Sequence, residues 1–332
     1  PYFYTNIYYL LAELIANAYD ADAHNVYIIS NDDKIIVEDD GKGMSYSKGE
    51  ITKYLKVAAI SRTNESDSKT ALDRLKMGRK GVGKLAALSV SEEVYVMTVV
   101  SGEKSGFVLS RHPQSENLQS ISDENIHFER IIGNGTAIVM LNPQYHLHKT
   151  PTAIKRNLLK IFPAISEDFK IHIIMGDKED VIDSVDKEIG RELCACILLG
   201  DKSSSIQNTY NNEYPDVELL VKNPSKEFPI VLKNNDGNEK EYRLIIEGWI
   251  GAYKSTRGRK LESSDFPDNF ISLYANDKMG EFNILPVVGA NRLNESYVVG
   301  QLYIDLFELS ELPDMALSNR QGYKSDDPRY IK

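Results

Sequence analysis

The stretch AELIANAYDADAH, residues 12–24, places Glu13, Asn17 and Asp20 among apolar neighbours, with no lysine beside them. At about 100° per residue around an α-helix, Asn17 lies about 40° from Glu13 on one side and Asp20 about 20° on the other. The three polar side chains therefore share one helix face, next to an apolar one. An amide oxygen suits Mg²⁺, and a carboxylate one turn away can act as a general base toward water beside that ion. The alternative is an ordinary solvated polar face.

The stretch VEDDGKGM, residues 37–44, places Asp39 at the end of a predicted strand, followed by Gly41 and Gly43. A carboxylate at a strand end can accept a hydrogen bond from an exocyclic amine. The two glycines let the backbone approach a flat ring closely. Asp-Gly is also a common turn, so a simple turn is the alternative.

The stretch GRKGVGK, residues 78–84, predicts a glycine loop that leads into a helix. The bare amides of 81–84 at a helix start could cradle a phosphate, and Lys84 adds positive charge. A P-loop does not fit, because Leu85 stands where that motif needs a serine or threonine. A dinucleotide fingerprint does not fit either, because ALDRLKM at 71–77 predicts a helix where a strand is needed.

Hydrophobic periodicity predicts the elements that position these residues. They are a helix over 4–20, strands over 25–30 and 34–38, a helix from the capping box SKGE at 47–50 to about 59, strands over 93–100, 105–110 and 136–141, a helix over 153–162, a strand over 169–174 and a strand-rich stretch over 241–305. The polar residues 61–70 predict a loop or lid. A change in composition near 142–152 predicts a domain boundary, followed by a second α/β domain with alternating strands and helices.

The 332 residues are enough for about two domains, and a composition of 42% hydrophobic and 27% charged residues is typical of a soluble globular protein. The chain has no apolar run of membrane-spanning length and no signal-peptide pattern. Cys194 and Cys196 suit neither a stable disulfide nor a zinc site, which favours a reducing, cytoplasmic location. A net charge of −10 excludes general polyanion binding over the whole surface. The abrupt start at Pro1 is compatible with a fragment of a longer protein.

In this order, the three motifs resemble those of the GHKL ATPase superfamily, which includes gyrase, the ninety-kilodalton heat-shock chaperone, histidine kinases and MutL. The resemblance covers roughly residues 5–141. It implies a nucleotide-binding two-layer α/β (α+β) sandwich with a mixed sheet over residues 1–148, including a lid at about 45–77. A second, transducer-like α/β domain over 149–332 is inferred mainly because relatives have one.

The resemblance also implies roles for individual residues. Glu13 would polarise the attacking water, Asn17 would hold Mg²⁺, and Asp39 would read the adenine amine with help from Thr136 in GNGTAIVM. The further nucleotide contacts that it implies are Asp20, Gly41, Gly43, Met44 packed on the base, Ser61 of a short serine–basic element with Arg62, and Gly78, Gly81, Val82, Gly83 and Lys84 around the phosphates. Met44 as simple core filler is the alternative at that position.

Within the superfamily, NAYDADA is similar to the MORC, MutL and chaperone branch. That branch consists of ATP hydrolases that close as homodimers on ATP, and it occurs in chromatin silencing, mismatch repair and antiviral defence against phage. The segment ALSNRQGY at 316–323 makes Arg320 the candidate γ-phosphate sensor, with Gln321 beside it, because a permanently charged planar fork suits that role. An arginine at a domain surface is the alternative.

Two other functions stay open from sequence. A histidine kinase domain would need a phosphoacceptor helix pair before Pro1, and a non-hydrolysing ATP-gated scaffold would dimerise without turnover. The loop YKSTRGRK could touch DNA, although a solvated loop is the more ordinary interpretation. Its basic residues are Lys254, Arg257, Arg259 and Lys260. His146 and His148 lack an evident third ligand and are predicted to be structural. The chain could also act together with an effector domain or with a separate partner protein.

Overall fold

The computed structural model describes residues 6–31, 33–55, 69–77, 87–112, 119–162, 168–183, 192–204, 206–208, 220–255, 265–289, 293–317 and 321–332. The chain divides into two compact units. The first comprises residues 1–160 and 164–184, and the second comprises residues 161–163 and 185–332. Each unit is built on its own β-sheet.

The first unit combines helices with an eight-stranded mixed sheet. Its elements are α1 (Ile7–Asp20), β1 (Asn25–Ser30), β2 (Lys34–Asp39), α2 (Glu50–Leu55), β3 (Glu93–Val100), β4 (Glu103–Ser110), β5 (Gln119–Ser120), β6 (Gly135–Leu141), α3 (Pro151–Ile161), β7 (Lys170–Met175) and β8 (Lys178–Ile182). The strand order is β5-β4-β3-β6-β2-β1-β7-β8, and only β1 and β7 run parallel. The mixed α/β fold predicted from sequence is confirmed.

Helix α1 packs its apolar side against β2, and its buried residues include Leu10, Leu11 and Leu14. The opposite face of the sheet carries a second apolar cluster, in which Ile36 and Val139 pack with Ile126 from the connection between β5 and β6. Both faces of the central strands are therefore covered. This burial explains the nearly continuous apolar runs in β2, β3 and β6.

The predicted strands over 25–30 and 93–100 are confirmed to the residue. Helix α1 starts at Ile7, because the Asn6 side chain accepts a hydrogen bond from the Tyr8 amide at 3.0 Å. The capping box expected at Ser47 is displaced. Ser45 Oγ accepts from the Lys48 amide at 3.3 Å, and Glu50 Oε2 accepts from the Ser45 amide at 2.8 Å.

The helix predicted over 71–77 is wrong. The structure has a turn there, which an isolated bridge between Lys69 and Leu75 closes. Thr70 accounts for the difference, since its amide donates to the Arg74 carbonyl at 2.9 Å and its Oγ1 accepts from the Arg74 amide at 3.2 Å. Asp73 has a φ of 62°, which no helical residue adopts.

The first unit extends past residue 148, where the sequence analysis placed the boundary. Strand β7 pairs in parallel with β1, from Asn25 opposite Lys170 to Ile29 opposite Ile174. β8 then pairs with β7. The crossover through α3 therefore returns the chain to the first sheet, and the main part of the second unit begins at residue 185.

The second unit consists mainly of strands in its described part. Its elements are β9 (Leu193–Leu199), β10 (Leu220–Asn223), β11 (Lys226–Lys233), β12 (Glu239–Tyr253), β13 (Phe270–Ala275), β14 (Lys278–Glu281), α4 (Leu285–Val288), β15 (Val298–Tyr303) and α5 (Pro328–Ile331). The sheet order is β10-β9-β12-β15-β13-β14, with β11 paired to β12. Helices α4 and α5 have four residues each, and residues 204 and 206–208, between β9 and β10, are also helical.

The core of the second unit lies on one face of this sheet and includes Leu244, Leu273, Leu302, Phe307 and Met315. None of the described helices combines the length and apolar character that crossing a bilayer requires.

Candidate functional site

A cavity of about 300 Å³ lies in the first unit, between the C-terminal half of α1 and the sheet. The residues that line it come from α1, β2, the loop after β2, α2 and β6. They are Leu14, Asn17, Asp20, Ala21, Val37, Asp39, Lys42, Gly43, Met44, Tyr54, Thr136 and Ile138. The structure therefore brings together residues from the first two sequence motifs and from GNGTAIVM, which are distant in the chain.

Asp39 is the buried acidic group of this cavity. It ends β2 directly opposite Thr136 of β6, and it is 9% exposed. Burial raises the pKa of the Asp39 carboxyl to about 7, although the Gly41 amide, which donates to its Oδ1 at 3.0 Å, acts in the opposite direction. A desolvated carboxyl beside apolar walls is well suited to accept a hydrogen bond from an amine on a flat ring.

The loop after β2 needs both of its glycines. A Cβ at Gly41 would lie 2.7 Å from Asp39 Oδ1 and 2.8 Å from the Ala21 carbonyl oxygen. Gly43 has a φ of 68°, and a Cβ there would lie 2.5 Å from the Val99 carbonyl oxygen. The glycines therefore let this loop fit between the end of α1 and β3.

Thr98 on β3 was not identified from sequence, although it fixes this loop. Its side chain is fully buried, and Oγ1 accepts from the Met44 amide at 2.8 Å and donates to the Gly135 carbonyl at 3.0 Å. The signal in the sequence was a hydroxyl within the apolar strand EVYVMTVV. The position of Met44 in the cavity wall thus depends on Thr98.

Replacing Thr98 with valine should destabilise the protein by about 1–3 kcal/mol, because the buried Met44 amide and Gly135 carbonyl would lose their shared partner. Thr98→Ser keeps the hydroxyl and should recover most of that loss. Urea unfolding of the three proteins measures the difference. A valine variant as stable as wild type would remove this role from the hydroxyl.

The polar face of α1 is observed where the sequence placed it. Asn17 is exposed and lines the cavity, and Glu13 lies one turn earlier and is half-buried. Asp20 also lines the cavity, and its Oδ1 accepts from the Met77 amide at 2.7 Å. Glu13 is not one of the described residues that line the cavity.

The Asn17 amide fits one particular kind of metal site. Mg²⁺ in nucleotide sites keeps several waters and takes few protein oxygens, and an exposed amide in a cavity wall can supply one. Among the described residues, no group of three or more His, Cys, Asp or Glu side chains is arranged to hold a metal ion. His148 is buried against Tyr8, with its Nδ1 in hydrogen-bond contact with the tyrosine hydroxyl.

Several predicted residues lie outside the described part of the chain. They are Ser61, Arg62, Gly78, Gly81, Val82, Gly83, Lys84, Arg257, Arg259, Lys260 and Arg320. Lys254 is described at the end of β12, where its amide donates to the Glu192 carbonyl at 2.8 Å. In the second unit, Ala316 forms an isolated antiparallel bridge with Tyr323.

Two further cavity residues were missed from sequence. Tyr54 of α2 contributes an aromatic wall, and burial, together with the nearby Asp39, raises the pKa of its hydroxyl. Lys42 lies at the rim with an exposed side chain, while its amide donates to the Ala21 carbonyl at 2.9 Å. Tyr54 lies outside the motifs and enters the cavity only through the fold, whereas Lys42 is the residue between Gly41 and Gly43 of the second motif.

Comparison with known proteins agrees with this geometry. Residues 4–134 match the family described as "Histidine kinase-, DNA gyrase B-, and HSP90-like ATPase". Over 336 residues the chain is 26% identical to a Herpetosiphon aurantiacus protein named "Putative type II restriction enzyme HgiDII". That alignment covers 99% of this chain and 51% of the relative, so the chain spans about half the length of the protein that it matches.

Proposed function

We propose that this chain, whose N-terminal domain is an ATPase domain of the GHKL type, binds ATP with Mg²⁺ in the α1 cavity and hydrolyses it. The observation that carries the proposal is the convergence of Asn17, Asp39, Gly43 and Thr136 in one cavity. These residues come from three separate stretches of the sequence, since Asp39 and Gly43 share one motif, and each offers the chemistry that one part of a nucleotide needs.

The adenine end of the site is the apolar part of the cavity. Val37, Met44 and Ile138 offer surfaces against which a flat base can pack. The Asp39 carboxylate accepts from the exocyclic amine, with Thr136 opposite it on β6. A buried acceptor of this kind discriminates strongly against ligands without a donor, because it would then be left unsatisfied.

The phosphate end lies toward the polar face of α1. Asn17 holds Mg²⁺, which neutralises phosphate charge when it is bound. Glu13, one turn away on the same helix, orients the attacking water and accepts its proton. The glycine-rich stretch 78–84 and Lys84 surround the phosphates in this proposal, on the grounds of sequence alone.

At the level of the whole chain, we propose an ATP-gated clamp that closes as a homodimer and reopens after hydrolysis. Arg320 of the second domain contacts the γ-phosphate in the closed state. A DNA-linked role, such as defence against phage, is supported by the name of the Herpetosiphon relative. Lys254, Arg257, Arg259 and Lys260 are the proposed DNA contacts.

The direct test supplies labelled ATP and Mg²⁺ to the purified chain, with and without DNA. We expect release of free phosphate and ATP-dependent dimers in size-exclusion chromatography, with a rate that responds to DNA. Stable phosphohistidine would instead identify a kinase. Dimers without turnover would identify a scaffold, and absence of ATP binding would refute the proposed function.

A further inference from the structure

Residues 69–77, called here the stem segment, are attached to the C-terminal end of α1 by an arginine. Arg74 Nη1 donates to the Ala23 carbonyl at 2.6 Å and the Tyr19 carbonyl at 3.4 Å, and Nη2 donates to the Asp168 carbonyl at 3.0 Å. Its guanidinium carbon lies 4.7 Å from the centroid of the Tyr19 ring. A cation at this position satisfies carbonyls at the helix end and complements the helix dipole.

A second aromatic ring holds the guanidinium in place. Phe169, which is fully buried, lies edge-to-face with Tyr19 at 5.2 Å, and its ring centroid is 5.4 Å from the Arg74 guanidinium carbon. Arg74 therefore packs beside two rings while it donates to carbonyls from two parts of the chain. Lysine could supply the charge here, but not this planar set of donors.

Two carboxylates at the end of α1 accept hydrogen bonds from backbone amides of the stem segment. Asp22 accepts from the Ala71 amide at 3.0 Å and from the Leu72 amide at 3.3 Å. Asp20 accepts from the Met77 amide at 2.7 Å. The stem segment is thus fixed near its start by Asp22, in its middle by Arg74 and at its end by Asp20.

This attachment affects one end of the cavity more than the other. Asn17, Asp20 and Ala21, at the end of α1, line the cavity, and Gly78 follows Met77 in the sequence. Asp39 and Thr136 are instead held by the pairing of β2 with β6. The two ends of the cavity therefore have largely separate supports.

We infer that Arg74 is a positioning residue for the phosphate end of the nucleotide site. By holding the stem segment against the end of α1, it fixes the Asp20–Met77 hydrogen bond and the placement of Asn17. This inference rests on the proposed function, because it assumes that the cavity binds ATP. Arg74 lies in none of the three motifs, and it would act on the ligand only through α1.

The test compares binding of adenosine and of ATP with Mg²⁺ by calorimetry, using the full chain. In Arg74→Met, which keeps an unbranched apolar side chain, we expect ATP affinity to fall roughly tenfold and adenosine affinity to change less than about twofold. Arg74→Lys should recover only part of the ATP affinity. Lys69→Met is the matched control, because Lys69 belongs to the same segment but pairs with the exposed Asp73 at 2.8 Å. It should bind both ligands like wild type.

Asp22→Asn provides a second route if the arginine variants fold poorly, since asparagine tolerates the Asp22 φ of 61°. It should lower ATP affinity roughly twofold to fivefold and leave adenosine binding unchanged. Equal losses for ATP and adenosine, or no loss for either in folded variants, would overturn the inference. Wild-type protein that binds neither ligand would instead refute the proposed function itself, so the two failures are distinguishable.

Discussion

Glu13→Ala is expected to slow ATP hydrolysis by about 10²- to 10⁴-fold while ATP affinity stays close to that of wild type, because a positioned base contributes about that factor. Glu13 lies one turn from Asn17 on α1 but is not among the described lining residues of the cavity. Its removal should therefore affect the reacting water rather than the bound nucleotide. Phosphate release under single-turnover conditions, together with calorimetric ATP binding, measures both quantities.

Glu13→Gln tests the same role with nearly unchanged side-chain volume. Glu129→Ala is the control for loss of a carboxylate elsewhere in this unit, since Glu129 forms a surface ion pair with Lys34 at 2.8 Å. That control should hydrolyse ATP at the wild-type rate. Full activity of either Glu13 variant would remove the assignment of Glu13 as the base.

Asp39→Asn is expected to weaken ATP binding by about 100-fold or more, because the buried acceptor for the adenine amine is lost and an amide donor faces the base. The substitution should not unfold the protein. Folding raises the pKa of Asp39 from 3.8 to about 7, so the native state holds a proton that the unfolded chain releases. The Asp39 contribution to stability is therefore fully present below about pH 4 and is lost as pH rises toward 7.

Because burial of ionised Asp39 destabilises the fold at high pH, the Asp39→Asn variant separates an effect on ATP binding from an effect on stability. At pH 8, Asp39→Asn removes a buried charge and should be at least as stable as wild type, while its ATP affinity falls by about 100-fold or more. In wild type, ATP affinity should fall about tenfold between pH 8 and pH 6, as a carboxyl with a pKa near 7 becomes protonated. Excess Mg²⁺ keeps the phosphates ionised over that range. Unchanged ATP affinity in Asp39→Asn would count against the adenine role.

The parts of the site that sequence could predict are those encoded by neighbouring residues. Asp39, Gly41 and Gly43 lie within five residues, and the spacing of Glu13, Asn17 and Asp20 follows from helix geometry. In both cases local backbone structure alone decides which side chains lie together. The mixed α/β fold followed in the same way from strand and helix periodicity.

The residues that were missed depend on pairing between distant segments. Thr98 meets Met44 only because β3 pairs with β6 and β6 pairs with β2. Tyr54 enters the cavity from α2, whose cap at Ser45 differs from the expected one. The stem segment likewise has a helix-like composition, but Thr70 and Asp73 impose a turn that hydrophobic periodicity does not encode.

The parallel pairing of β7 with β1 has a consequence for biosynthesis. While the ribosome is making this protein, the outer edge of β1 stays open until residues 170–175 have left the exit tunnel. A chain stopped at residue 148 would leave the backbone amides and carbonyls along that edge of β1 unpaired. Such an exposed edge strand can pair with strands of other nascent chains and cause aggregation. Shortened versions meant to keep the ATPase domain soluble should therefore reach residue 184, the end of the first unit.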